Sequence, residues 1–422
     1  MANIILDGRK TTMRLIYLVQ YFPPEKASGL QMVEDLIEGF ANKGWEVDVF
    51  TPLPTRGVTA EERKKYKKKR VEKIYNDKVT IHRMRLYREG TSVIGRAVRY
   101  VLFSIECLWK CMTVPADFIF TGSGPPTQGV IVGLAKKLTN KKVIYNLQDI
   151  FPDSLVTSGI CNKDSTLMKM GYKMEKFIYK NVDHIITVSE DMKNNIVRKG
   201  TPVDKISVIL NWIDINKVRS VEINNNKLYK EFELSKDRFH IVYAGNLGKV
   251  QGVEVILEAA EQLLYNKQIH FVIFGNGSEE NKLKSIAEKK KLDNVSIFPL
   301  QSSDRISEVY SLGDICIISC KAGTGKSGMP SKTWTIMAAE RGIIASFDEN
   351  SELSRTIKDA DCGICVKADD YNRLAEAIIY AYNNRDKVEK WGNNARQYVE
   401  DNASKDVAVD KYITTIASIL QE

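Results

Sequence analysis

From Met13 onward, short apolar runs alternate with stretches whose apolar residues recur at helical spacing. In the first half the strand-like runs fall at 15–19, 47–50, 79–83, 118–121, 143–145, 184–188 and 206–209. Helical patterns at 30–43, 127–138 and 192–199 lie between them. A second series of runs begins at 239–243 and continues at 269–274, 295–298, 314–319, 342–346 and 363–366. Helical patterns at 253–264, 278–290, 333–340 and 371–382 separate these. Nearly continuous apolar strands alternating with helices mean parallel sheets covered on both faces. The rhythm predicts an α/β protein of two consecutive doubly wound domains, joined in the polar stretch 211–237. The tail from Lys387 reads as two helices that need not belong to the second domain alone. Doubly wound domains hold ligands at the carboxyl ends of their strands, which directs both sites toward a shared cleft.

Composition adds little to the fold but narrows the setting. The 422 residues, 43% hydrophobic and 27% charged, suffice for two or three full cores. No apolar run nears the roughly 20 residues of a membrane span. Residues 1–12 lack the charged start and long apolar stretch of a signal peptide. They read as a leader, a tag or a late start, and the chain is expected to be intracellular. Seven cysteines in apolar patterns agree with a reducing compartment. Cys362 and Cys365 have redox or zinc spacing, but without a second pair or a nearby histidine they read as small core residues.

The net charge of +9 suggests an anionic partner. Much of it comes from Arg63-Lys64-Lys65-Tyr66-Lys67-Lys68-Lys69-Arg70. This run reads either as a solvated loop or helix face, or as a contact with anionic lipid head groups. The aromatic and basic segment 96–112 would assist such a contact, and it reads equally as a core helix. No nucleic-acid-binding module is recognisable.

Candidate chemistry concentrates in the loops after strands. Ser327-Gly328-Met329-Pro330-Ser331-Lys332 links the run at 314–319 to a helix. Pro330 suits a first helical position, and a helix so started presents free N–H groups. With Ser331 and Lys332 added, it makes a phosphate site, hence a diphosphate ligand. The loop from Tyr21 to Gly29 and the segment Ala244-Gly245-Asn246-Leu247-Gly248 are glycine-bearing loops after first strands, where backbone can approach a ligand. Gly275-Asn276-Gly277 lacks the remaining spacing of a dinucleotide fingerprint. Gly323-Thr324-Gly325-Lys326-Ser327 imitates the end of a nucleotidase phosphate loop, but Cys320 replaces its first glycine and Gly328 and Pro330 postpone the helix. In Asn146-Leu147-Gln148-Asp149, the carboxylate of Asp149 could orient a hydroxyl, act as a base or cap a turn. Glu352 follows the run at 342–346 and either faces the cleft or serves a helix dipole. His82, His184, His240 and His270 lie in strand patterns and are poor metal ligands.

Together these segments resemble glycosyltransferase family 4, in particular the fucosyl- or N-acetylfucosaminyl-transferase-like enzymes of bacterial O-antigen and capsule synthesis. The resemblance runs from about Met13 to Val366. It rests on Tyr21-Phe22-Pro23-Pro24-Glu25, Gln148-Asp149-Ile150-Phe151-Pro152-Asp153, Asn211-Trp212-Ile213-Asp214, Tyr243 to Gly248, and Pro330-Ser331-Lys332 with Ala338-Ala339. It implies a GT-B fold of two Rossmann-like domains (13–210 and 211–390) facing a cleft, with C-terminal helices (391–422) crossing back to the first. It also implies retaining, metal-independent transfer from a nucleotide-diphosphate sugar, with UDP the expected carrier, to a lipid-linked glycan precursor, with no cofactor. Gly29, Asn246, Gly248, Pro330, Ser331 and Lys332 would then border the donor. Glu352 would lie by its sugar or diphosphate, and Gln148 and Asp149 on the acceptor side. Two departures from the family pattern stand out. Ser327 and Thr335 occupy the places of its Glu-x7-Glu pair, and Asn246 and Gln251 replace its Arg and Lys. Lys332, with Lys249 or Lys326, is left to carry the phosphate charge. The expected enzyme is cytoplasmic and peripheral to the inner face of the cell membrane. A UDP-sugar 2-epimerase of the same fold and an inactive sugar-nucleotide-binding scaffold are the alternatives.

Overall fold

The computed structural model describes residues 12–27, 29–90, 92–157, 161–162, 164–325 and 329–421. Ser28, Lys326, Ser327, Gly328 and residues 1–11 lie outside the described residues, and with them the expectations attached to these positions. The chain forms two compact units. One takes the chain up to Leu210 and again from Ala408, and the other is Asn211–Val407.

The first unit holds eight strands: β1 (Arg14–Leu18), β2 (Glu46–Pro52), β3 (Val71–Ile74), β4 (Val79–Met84), β5 (Phe118–Gly122), β6 (Lys142–Leu147), β7 (His184–Thr187) and β8 (Ile206–Val208). Their order is β3-β4-β2-β1-β5-β6-β7-β8, and every pairing is parallel except β3 with β4. The strand order reverses direction between β1 and β5, which makes that point the switch of a doubly wound sheet. Alternation along β1 sends Ile16 and Leu18 into one core layer with Phe103, Val132 and Ile178. On the other face Phe120 meets Tyr17 at 4.9 Å, Phe40 at 6.0 Å and Tyr412 at 6.1 Å, all edge-to-face. Tyr412 belongs to the final helix, Lys405–Gln421. That helix packs so tightly on Gly39 that a Cβ there would lie 2.2 Å from Val409. The preceding helix, Arg385–Asn402, stays with the second unit, so the return to the first unit starts at Ala408 and not at 391.

The second unit contains β9 (Phe239–Asn246), β10 (Ile269–Asn276), β11 (Val295–Phe298), β12 (Ile315–Ser319), β13 (Gly342–Phe347) and β14 (Gly363–Lys367). All are parallel in the order β11-β10-β9-β12-β13-β14, and the switch point falls between β9 and β12. Its core is apolar from Phe239 and Phe271 through Ile317 to Ile344 and Trp391.

The basic run at 63–70 is neither wholly loop nor wholly solvated. It continues a helix, Ala60–Lys68, that starts in a capping box of Thr59 and Glu62. Arg63 turns inward from it, donating to the carbonyls of Leu53, Pro54 and Leu86 at 3.0, 2.7 and 2.6 Å. All seven cysteines are free, and burial pushes the Cys362 thiol up to about 12, as a core position requires. Burial likewise lowers His270 to about 3, while His82 sits 2.7 Å from Asp48.

Candidate active site

The second unit's switch point is built around one lysine. Lys332 opens a seven-residue helix, Lys332–Ala338. The N-cap is Ser331 without a side-chain cap bond, so Pro330 stands one place before the cap and not at the first helical position. The reason is a turn in which the Pro330 carbonyl accepts from Thr333 N at 3.0 Å. So short a helix has little dipole of its own, and the positive charge here belongs to the lysine.

The Lys332 ammonium lies 3.9 Å above the Tyr243 ring centroid. Gly245, two residues on along β9 and on the same side of the strand, makes room for it. A Cβ at Gly245 would come within 2.8 Å of Nζ, and its backbone φ of +144° already disfavours a side chain. Tyr243 is fully buried and its hydroxyl donates to the Asn246 carbonyl at 2.8 Å, which fixes the ring. Desolvation lowers Lys332 to about 7, although the residue as a whole is only half-buried. Among the described residues no carboxylate forms an ion pair with it.

The two loops beside Lys332 hold each other. Asn246 Nδ2 donates to Gln251 Oε1 at 3.2 Å across Gly248, where a Cβ would crowd both side chains. Ser319 Oγ donates to the Gln251 carbonyl at 2.8 Å, and Lys321 N to the Val250 carbonyl at 2.8 Å. The described part of the nucleotidase-like loop, up to Gly325, is tied down by acids. Asp348 accepts from Gly323 N at 2.9 Å and Gly325 N at 2.8 Å, and Asp369 from Ala322 N at 3.0 Å. Those amides are occupied, which removes the phosphate-cradling reading on physical grounds.

The structure thus gathers Gly245, Asn246, Gly248 and Lys332 at one switch point, with Thr335 half-buried one helical turn beyond Lys332. Glu352 is the first residue of the helix Glu352–Asp359, behind the N-cap Ser351, which accepts from Ser354 N at 3.2 Å. Its charge acts on Tyr398, whose ring stacks 6.4 Å from that of Trp334 in the Lys332 helix. Tyr243 opens one of the sequence motifs but is not among the candidate site residues, and the structure puts it directly beneath the Lys332 ammonium. The signal for it was the two-residue alternation that sets it on one face with Gly245.

The remaining candidates lie in the first unit. Gln148 and Asp149 are exposed at the end of β6, and both backbone N–H groups donate to Ser123 Oγ, at 3.1 and 3.2 Å. Asn146 Oδ1 accepts from Gln148 Nε2 and from Tyr412 Oη, each at 3.0 Å. Gly29 caps the helix Leu30–Asn42 at φ +78°, with open space beside its Cα. Glu25 is buried and accepts from Thr55 N at 2.7 Å, Arg56 N at 3.1 Å and Phe22 N at 3.3 Å, locking the loop after β1. Arg56 pairs with Glu89 at 2.9 Å over the Tyr21 ring.

Two doubly wound units, each with its loops converging at a switch point, define the architecture, and sequence comparison supplies the activity. Residues 31–217 match Glycosyltransferase Family 4 and residues 224–398 match Glycosyl transferases group 1. The chain carries both glycosyltransferase domains, has the GT-B fold, and is a glycosyltransferase of the Leloir class. It is 24% identical over 421 residues to the putative colanic acid biosynthesis glycosyl transferase WcaI of Escherichia coli K12, covering 95% of this chain and 99% of that one. It is also 24% identical to the probable glycosyltransferase WbjE of Pseudomonas aeruginosa, over 80% and 82% of the two chains. Among solved structures, Anabaena HepE in complex with UDP superposes with a TM-score of 0.71 at 12% identity, over 96% of this chain and 100% of that one. Sucrose-phosphate synthase of Thermosynechococcus elongatus gives 0.73 at 16% identity, over 97% and 99%.

Proposed function

We propose that the protein moves a sugar from a UDP-linked donor to a lipid-linked glycan precursor in bacterial surface polysaccharide synthesis, with retention at the anomeric carbon and without a bound metal. The observation that carries the donor half is Lys332, a recessed ammonium at a switch point on which no carboxylate among the described residues acts. A buried cation without a counter-ion is costly unless an anion arrives. A diphosphate meets that need, and its leaving charge is the charge that grows as the sugar departs. The relatives support the acceptor half through the polysaccharides their names specify, and the Anabaena structure supports UDP.

In this reading the acceptor oxygen bonds to the anomeric carbon on the face from which the diphosphate departs, as the bond to the diphosphate oxygen breaks, and the acceptor's hydroxyl proton passes to that departing oxygen. The electron pair leaves with the UDP, where Lys332 and the amides at Ser331 stabilise it. The donor runs past Gly29, Asn246, Gly248 and Pro330, Thr335 hydrogen-bonds a ribose hydroxyl, and Glu352 addresses the sugar. Gln148 and Asp149 serve the acceptor. Fucosyl and N-acetylfucosaminyl donors are the first to test, following the sequence resemblance.

The test incubates the purified chain with a nucleotide-sugar panel and membrane glycolipid extract, without divalent metal. Acceptor-dependent release of UDP is expected. Inversion at C2 without acceptor would mark an epimerase, and nucleotide binding without turnover a scaffold. Either result overturns the proposal.

A further inference from the structure

The helix Val93–Thr113 has its polarity inverted. Each of its charged residues (Arg96, Arg99, Glu106 and Lys110) is buried or half-buried. Its exposed side chains are apolar apart from Thr113 at the very end. Ile94, Val98, Leu102, Ile105, Trp109 and Met112 fall at three- and four-residue spacing, so they form one stripe. Ile94 is 77% exposed, Ile105 59% and Trp109 60%. The stripe runs about 28 Å at 1.5 Å per residue. It is not a core face lacking a core, because the opposite side already supplies Phe103, Cys107 and Cys111 to the first unit's interior. A continuous apolar surface of this length marks an interaction site.

The charges beside it identify the occupant. Arg99 of this helix donates to the Tyr87 carbonyl, and Arg63 of the Ala60–Lys68 helix to the neighbouring Leu86 carbonyl. Arg70, at the end of the basic run, is close enough to act on the Glu106 carboxyl. The basic run therefore lies alongside the apolar stripe. Lys64, Lys65, Lys67, Lys68, Lys69 and Arg70 are all exposed, and among the described residues none of them forms an ion pair. Pairing two copies through the stripe would bring two such runs together, and like charges would oppose it. An anionic leaflet turns the same charges into attraction and offers the stripe hydrocarbon. No helix among the described residues is long and apolar enough to cross a membrane, so the contact is one of lying on, not spanning.

We propose that the Val93–Thr113 helix lies flat in the head-group boundary of an anionic bilayer, its outer stripe among the acyl chains and residues 64–70 on the lipid phosphates. The proposed lipid-linked acceptor gives this contact its purpose, but the contact itself does not depend on catalysis.

The test uses the full chain and phosphatidylcholine vesicles with and without phosphatidylglycerol. Trp45, Trp212, Trp334 and Trp391 are buried, so a change in tryptophan emission on adding vesicles reports Trp109. A blue shift with anionic vesicles is expected. Ile105→Gln with Trp109→Gln should lower co-sedimentation at least about tenfold without changing the melting temperature. Neutralising Lys67, Lys68 and Lys69 should remove the phosphatidylglycerol preference. Lys332→Ala should sediment like the wild type, which separates this inference from the donor reading. Unchanged Trp109 emission would overturn it, as would a stripe variant that still sediments or a concentration-dependent dimer that the stripe variant abolishes.

Discussion

The switch points of the two units are alike in topology and opposite in electrostatics. In the first, charges are matched from within: Glu25 takes three backbone N–H groups, Arg56 takes Glu89, and Arg63 takes three carbonyls. Arg99 is buried there with Nε and Nη2 unpartnered, but the Glu89 and Glu25 carboxylates act on it, and Gln148 and Asp149 are exposed. In the second, Asp348 accepts from loop amides, Asp369 from an amide and from Lys321, and no carboxylate among the described residues acts on the recessed Lys332. The difference teaches which unit is waiting for an ion. Internally satisfied charges hold a loop in shape, whereas an unsatisfied one selects a ligand.

The strongest way to break this comparison is Lys332→Ala, expected to lower transfer at least about a hundredfold, the scale of losing one preorganised transition-state stabiliser. Lys332→Met should lose as much activity while melting no lower than wild type, since it deletes a costly charge and keeps the stem. A Met variant that unfolds would make the lysine structural. Next comes Gly245→Ala, which sets a methyl against Nζ and strains the backbone at φ +144°. It should raise the donor KM several-fold and cost about 1–3 kcal/mol in denaturant unfolding. An unchanged KM would show that Lys332 need not sit there. On the other side of the comparison, Glu25→Gln should cost about 2 kcal/mol of stability yet leave UDP affinity intact. Weaker UDP binding would mean that the first unit also answers to the ion. Thr335→Ala is the mildest, with a donor KM increase of about three- to tenfold and a constant kcat, expected of one lost hydrogen bond to a ribose. A fall in kcat instead would place Thr335 nearer the chemistry.

Both sheets were legible because each central strand is a four- to eight-residue apolar run bounded by loops, and parallel pairing follows from the helices between. The β3 strand and the Ala60–Lys68 helix were not, because charge dominates both and only Arg63 turns inward. The Val93–Thr113 helix could be read as core or surface because it is apolar on two sides, and periodicity cannot say which side meets a partner. In the site, Lys332 was recognisable from its motif. Its burial was not, because that is created by Tyr243 and Gly245 on a strand distant in sequence. Pro330 was placed one step too far into the helix, since a turn ahead of the cap satisfies the same proline preferences.

The central claim is that a diphosphate supplies the missing counter-charge to Lys332. Because burial lowers this lysine to about 7 from its ordinary 10.5, the ligand-free protein bears the full penalty below about 7. Its stability should rise as the pH climbs from there toward the ordinary value. A bound diphosphate favours the charged form, so above about 7 binding must take up a proton. Calorimetry of UDP binding in two buffers of different ionisation enthalpy, about one pH unit above 7, measures this directly. The account predicts proton uptake by the wild type and, in Lys332→Ala, its loss together with most of the affinity. Equal affinity in the two proteins, or binding without proton uptake, would contradict it.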